Sequence, residues 1–353
     1  MDASSGIDVS AVVIARNEEA RIGAVLESVI ANLREAQAAG LCGPAEVLLV
    51  DSASTDRTVE IASRVGVRIV QMRREWPLSA PAARHIGLVN ARGRRLFFVD
   101  GDFVVDRGFV AGALPHLTGD VAAVAGVDRE HRAGSSVLMA RLVGVVASGA
   151  VREPEGVPIG LYRRDALEQV GGFDPFLRGG EDREVARRLR AAGYRVARVP
   201  VPMGEHFWTD SDAMSYVTYF RSVANWSFGD GQVARSLVSG RERRVLLGRY
   251  FSARFLINHG IGLSLGAALA ALFVPLASPG AWPASALAAG ALAAGLLAAR
   301  ARLRSWREVA YALHGVPYSL IRQSGLLLGM VRGARPASDY PRDVLVLREG
   351  GAV

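Results

Sequence analysis

Through the first two hundred positions, apolar residues keep to short runs and to helical spacings. Val9 to Ala15 is an apolar run, and Ile22, Val25, Leu26, Val29, Ile30 and Leu33 then fall on one helical face. That pattern predicts a buried strand leading into an amphipathic helix. Asn17, between them, has the side chain of an N-cap, with Glu18 and Glu19 in the first turn, where the helix dipole favours negative charge. Val47 to Val50 predicts a second strand ending in Asp51, Ser54-Thr55-Asp56 opens a helix through Val65, and Val67 to Val70 makes a third strand. Ser79-Ala80-Pro81 opens another helix, with Pro81 near the first turn where it is tolerated. That helix carries Arg84 and His85 and ends near Arg92-Gly93. Strands alternating with helices predict an α/β fold with a largely parallel sheet, whose ligands lie beyond the carboxyl ends of the strands.

The next stretch, Arg95-Leu96-Phe97-Phe98-Val99-Asp100-Gly101-Asp102, drives four apolar residues into two carboxylates. One reading is a buried strand that delivers Asp100 and Asp102 to the rim of the sheet, where they could hold a hard divalent cation. The other is a hairpin, because Asp-Gly between Phe97-Phe98-Val99 and Phe103-Val104-Val105 is a two-residue turn signal. Asp51 also lies at a strand's carboxyl end, and that shared placement favours the rim. Further strands are predicted at Val121 to Val127 and Tyr194 to Val199, with an Arg-flanked helix after the first. Glu181 and Asp182 open a helix with Val185 and Leu189 on its apolar face, where they either answer the dipole or supply a general base. His206 follows the last strand.

Beyond position 210 the pattern changes. From Phe255 to Ala299 there is no Asp, Glu, Lys or Arg, and Ser278-Pro279-Gly280 breaks the stretch in two. Each half is long enough to span a bilayer. Val309 to Val331 is apolar again but holds Pro317, Arg322 and Gln323, which suits a re-entrant segment, an interfacial helix or a third span packed against the first two. Between site and hairpin, Tyr216, Tyr219, Phe220, Trp226 and Phe228 with Arg221 and Arg235 suit an interfacial helix or one packed on the domain's flank.

Composition sharpens this division. All 42 basic residues are arginine and the formal net charge is +8. Arginines crowd both outer ends of the 255–299 stretch, which by the positive-inside rule puts both ends in the cytosol and accounts for the excess without nucleic acid. Cys42, the single cysteine, can form no internal disulfide and fits a reducing compartment.

The ordered motifs Ile14-Ala15-Arg16-Asn17-Glu18-Glu19, Val50-Asp51-Ser52-Ala53-Ser54-Thr55-Asp56, Ala83-Arg84-His85-Ile86-Gly87, Asp100-Gly101-Asp102, Gly171-Gly172-Phe173-Asp174 and Gly180-Glu181-Asp182 resemble the family 2 glycosyltransferases of the membrane-anchored bacterial type. The resemblance covers roughly Val9 to His206 and implies their nucleotide-diphospho-sugar-binding GT-A fold. It implies that Glu18 and Asp51 contact the nucleoside, that Arg84 lies near the nucleobase or phosphates, and that Asp100 meets the ribose. It places Glu181 in the donor site, Asp102 on a divalent metal, Mn²⁺ or Mg²⁺, and Asp182 as the base of an inverting displacement. His85 stands where the family often has Asn, and some relatives place a metal- or phosphate-binding histidine where His206 lies. Arg163 or Arg164 could add hydrogen bonds to phosphate oxygens.

The resulting expectation is a GT-A catalytic domain over 1–210, an interfacial linker over 211–250, a transmembrane hairpin over 251–300, and a basic segment, third apolar helix and polar tail over 301–353. The chain would sit in the cell (inner) membrane as a multi-pass protein with a cytosolic catalytic domain. It would move one sugar from a UDP- or GDP-linked donor to a lipid-linked or other membrane acceptor. Rival readings are a polyprenyl-phosphate glycosyltransferase, a processive polysaccharide synthase and an inactive nucleotide-sugar-binding scaffold. Gln232-Val233-Ala234-Arg235-Ser236 lacks the tryptophan of the processive enzymes' motif, which favours single transfer.

Overall fold

The computed structural model describes residues 6–131, 153–207, 216–238, 321, 324–331 and 335–353. The chain divides into two compact units, Met1–Ala213 with Ala334–Val353, and Met214–Gly333. The predicted 255–299 hairpin and the Arg-flanked helix after Val127 fall outside the described residues. Among the described residues no helix is long and apolar enough to cross a membrane.

The first unit is built on a nine-stranded sheet, counted among the described residues. β1 (Val9–Ala15), β2 (Ala45–Asp51), β3 (Arg68–Gln71) and β4 (Arg95–Asp100) form its parallel part, in the order β4-β1-β2-β3. α1 (Ile22–Ala38), α2 (Thr58–Val65) and α3 (Ala80–Asn90) connect them. Every residue of β1 and β2 is buried, as continuous apolar runs between layers should be. Each Leu or Phe withdrawn from water this way contributes about 1.5–3 kcal/mol. α1 buries Ile22, Val25, Leu26, Val29 and Leu33, the face its spacing predicts. At α3, the Ser79 hydroxyl accepts from the Ala82 N–H at 3.3 Å and Pro81 occupies the first turn.

Beyond β4 the sheet is mixed. β7 (Gly160–Arg163) runs antiparallel to β4, then β6 (Val121–His131) antiparallel to β7. β8 (Arg195–Phe207) is parallel to β6, and β5 (Phe103–Val105) closes that edge antiparallel to β8. α4 (Phe109–Ala113) follows β5, and α5 (Arg164–Gln169) and α6 (Glu181–Ala191) lie between β7 and β8. The sheet is therefore parallel from β4 to β3 and again between β6 and β8, with antiparallel pairs at β4–β7, β6–β7 and β5–β8.

The polar tail corrects the expected boundary at 301–353. Its last residues belong to the catalytic unit, because β9 (Leu345–Arg348) adds an antiparallel strand to the exposed edge of β3. Tyr340 is buried there, donating its hydroxyl to the Pro77 carbonyl at 2.7 Å and meeting Trp76, His85 and Phe176 edge to face.

In the second unit, α7 (Tyr216–Val238) and the helical residues 324–331 meet through glycines. A Cβ on Gly231 would stand 3.0 Å from the Gly329 Cα, and one on Gly325 2.9 Å from the Ser227 Cβ, so no larger residue fits this crossing. Arg235 Nη1 donates to the Met330 and Val331 carbonyls at 3.2 and 3.0 Å.

Candidate active site

Parallel register brings the predicted acidic residues to one rim. Asp51 is level with Ala15 and Asp100 with Ile14, so both stand where β1 ends. β4 lies between β1 and β7, whereas β5 pairs with β8 at the far edge, which removes the hairpin alternative for Asp100-Gly101-Asp102. The pairing of Phe103 with His206, and the Phe207 N–H donated to the Asp102 carbonyl at 2.9 Å, carry His206 to Asp102. His206 Nε2 and Asp102 Oδ1 are 3.0 Å apart. One ligand atom each from Asp100, Asp102 and His206 lies within 4.8 Å of the others. Two carboxylates and an imidazole are a donor set that suits Mn²⁺ as well as Mg²⁺, and all three side chains are partly open to an incoming ion.

Glu18 presses on this corner. A Cβ on Gly101 would stand 3.0 Å from Glu18 Cγ and 2.9 Å from Ala15 Cβ, so glycine lets the two loops close. Burial, then the charges of Asp102, Asp56 and Asp100, push the Glu18 carboxyl up to about 7. Burial also raises Asp100, against the pull of Arg84, with Asp102 adding to the rise. For His206 burial opposes the imidazolium, but the hydrogen bond and charge of Asp102 outweigh it and hold the ring above its ordinary value. Such crowding of anions is what a bound cation relieves.

Arg84 adjoins the acidic corner through Asp100. Its buried guanidinium is engaged within the protein: Nη2 donates to Asp100 Oδ1 at 2.6 Å and to the Pro158 carbonyl at 3.1 Å, and Nη1 to Glu181 Oε1 at 2.7 Å. It therefore offers no free fork to phosphates or a nucleobase. Glu181, also buried, is the first residue of α6 and pairs with Arg84. Asp182 follows in the first turn of α6, against Gly156, where any Cβ would collide with its carboxylate. Its charge reaches both Asp100 and the buried Tyr162 hydroxyl.

Asp51 is fully buried, its Oδ2 accepting from the Ser54 N–H at 3.0 Å and Gln71 Nε2 at 2.8 Å. Its Oδ1 is enclosed and unpartnered, a vacant acceptor at the end of β2. Asn17 does not cap α1, which begins at Ile22. With φ at 58° it turns the β1–α1 loop back, so that Asn17 Oδ1 accepts from the Thr55 N–H at 2.8 Å and Ser54 Oγ accepts from the Asn17 N–H at 2.9 Å. Thr58 Oγ1 likewise accepts from the Glu18 N–H at 2.8 Å, which zips the two loops together below Glu18.

Arg163 and Arg164 lie at the opposite end. Antiparallel pairing sets Arg163 level with Arg95, where it bonds Asp165, while Arg164 donates to the Gly93, Leu88 and Ala91 carbonyls and so closes the end of α3. Those two arginines with Asp8, Arg94 and Arg95 line a cavity of about 720 Å³ remote from the acidic corner.

Comparison with known proteins places this arrangement. The family model for glycosyl transferase family 2 matches residues 10–170. Uncharacterized glycosyltransferases of Mycobacterium tuberculosis and Mycobacterium bovis are 30% identical over 210 residues, 57% of this chain and 87% of theirs. A mannosyltransferase, PcManGT from Pyrobaculum calidifontis in complex with GDP-Man and Mn²⁺, has a TM-score of 0.57 at 21% identity, over 92% of this chain and 88% of that one. S. aureus TarS 1–349 in complex with UDP-GlcNAc has a TM-score of 0.51 at 18% identity, over 90% of this chain and 91% of that one. The two structures share the fold.

Proposed function

This chain belongs to glycosyl transferase family 2, and on that premise we propose that it inverts configuration while moving one sugar from a nucleotide-diphospho-sugar to a membrane-associated acceptor. The observation that carries the reading is the convergence of Asp100, Asp102 and His206 at the carboxyl end of β4. Those three side chains would hold the divalent cation, whose charge, when bound, offsets that of the departing diphosphate. Glu18 lines the same corner, and the vacant Asp51 Oδ1 is an acceptor for a nucleobase N–H once the side chains enclosing it give way. Asp182 takes the proton of the acceptor hydroxyl as that oxygen attacks from the face opposite the leaving group. The donors named for PcManGT and TarS support a nucleotide sugar without choosing between GDP and UDP.

A thermal-shift panel of UDP- and GDP-sugars tests the donor assignment, because a ligand at a hundred times its Kd stabilises by about 2.7 kcal/mol. The Tm should rise with one donor plus Mn²⁺, and the rise should vanish with chelator and in Asp102→Ala. No shift with any nucleotide sugar overturns the reading.

A multi-pass location in the cell (inner) membrane, with the catalytic domain cytosolic, is supported by the uncharged 255–299 stretch and its flanking arginines. The second unit adds support: Gly325 and Gly329 face α7, while Leu327, Leu328 and Val331 are 61%, 62% and 80% exposed. Glycine inside and leucine outside is the arrangement of helices that pack in lipid. Membranes washed in carbonate should retain the chain; its release to the supernatant would exclude an integral location and with it a bilayer-tethered acceptor site.

A further inference from the structure

We propose that Arg84 is a positioning residue whose buried guanidinium fixes the distance between the donor corner at Asp100 and the base at Asp182. The inference rests on the functional reading above and concerns how that site is held together. Three chain segments meet on this one side chain: the end of β4 through Asp100, the loop before β7 through the Pro158 carbonyl, and the start of α6 through Glu181. Glu181 is bonded covalently to Asp182, so any shift of the Arg84–Glu181 contact is passed to the Asp182 carboxylate within one residue.

Stability alone does not account for the arrangement. Arg84 is 2% exposed, and its Nε has no partner. Glu181, one of the two carboxylates it holds, is itself buried, so the cluster gives up solvation on both sides. A buried ion cluster of this kind rarely outperforms apolar residues of the same volume. A planar fork does, however, hold two carboxylates at a fixed separation, which a single ammonium on a flexible stem cannot. α3, which carries the fork, is itself held in place: Ser79 caps its start, and Tyr340 of the returning tail packs on His85 beside Arg84.

The test uses the full chain in detergent, with release of nucleoside diphosphate from the panel's nucleotide sugars in the presence of a lipid extract. kcat is expressed per folded molecule, and Mn²⁺-dependent donor Kd is measured separately by calorimetry. Arg84→Lys should lower kcat about a hundredfold, the effect of roughly an ångström of misplacement, while donor Kd moves by less than about threefold. Glu181→Gln, which keeps an acceptor oxygen for Nη1, should lower kcat by only about tenfold, and the double variant should be no slower than Arg84→Lys because both act through one contact. Glu181→Gln also keeps the test valid if Arg84→Lys fails to fold: unchanged kcat in that variant overturns the proposal. Wild-type kcat in Arg84→Lys overturns it as well, and so does a loss confined to donor Kd, which would make Arg84 a donor ligand. A wild-type chain that binds no nucleotide sugar overturns this inference and the functional reading together, whereas intact donor binding with unaltered variants overturns this inference alone.

Discussion

At the amino ends of β1 and β4, Asp8 accepts from the Gly43 N–H at 2.8 Å, from Arg94 at 3.3 Å and from both nitrogens of the Arg95 fork. Burial would raise its pKa, but Gly43 and Arg95 outweigh it and hold Asp8 below the usual carboxylate range. At the carboxyl ends of the same strands, Glu18 and Asp100 are pushed up, with Asp102 among the causes for both, and Arg84 is the guanidinium bonded to Asp100. The amino end is relieved of its charge conflict by the protein itself, and the carboxyl end is left in conflict. The difference teaches where to look for chemistry. The 720 Å³ cavity lies at the relieved end, where Asp8 is paired with Arg95 and Arg163 with Asp165 in its lining, whereas the acidic corner is recognised by unrelieved charge.

The sharpest break between the two ends is catalytic. Asp182→Asn should cut turnover by about 10²–10⁴-fold, the usual worth of a general base, with donor affinity nearly intact. Asp8→Ala should leave turnover per folded molecule unchanged. Near-normal turnover in Asp182→Asn would remove that side chain from the mechanism, and a catalytic loss in Asp8→Ala would show that the two ends are not separable.

The converse contrast is in stability. Asp8→Ala strands the Gly43 N–H and the Arg95 fork, and since Arg95 and Arg94 are partly to largely exposed the expected loss is about 2 kcal/mol. Urea unfolding of the two variants side by side checks this. Asp182→Asn, at a partly exposed first-turn position, should unfold within about 0.5 kcal/mol of wild type. Equal losses in the two variants would erase the distinction between a stabilising end and a working end.

Legibility in the sequence follows the range of the interactions. The strands and helices up to β4 depend on neighbours within a few positions, so Val9 to Ala15, the α1 face and the Ser79 cap read directly. The acidic corner was legible as a set of motifs because parallel register makes every strand's carboxyl end meet one rim. What was not legible depends on distant partners. Arg84 meets Glu181 across 97 positions, and nothing in Ala83-Arg84-His85 distinguishes a guanidinium aimed at phosphate from one aimed at a carboxylate. Asn17 has capping chemistry, but its partners Ser54 and Thr55 belong to another loop. The tail carried a weak signal in Leu345-Val346-Leu347, too short a run to predict a strand until β3 offered an open edge.

Glu18 gives the smallest and most specific test of the conflict at the carboxyl end. Its folded pKa of about 7 exceeds its unfolded value, so the protein binds a proton there that the unfolded chain has already lost. The stability this contributes is fully present below the unfolded pKa and disappears as pH rises through about 7. Glu18→Gln mimics the protonated side chain permanently. In metal-free protein its Tm should therefore match wild type near pH 5 and exceed it by a few degrees near pH 8, the difference opening between those values. Adding Mn²⁺ should shrink that difference, since a cation at Asp102 relieves part of what raised Glu18 in the first place. A difference independent of pH would mean that Glu18 is unperturbed, and the two ends of the strands would then differ less than their geometry says.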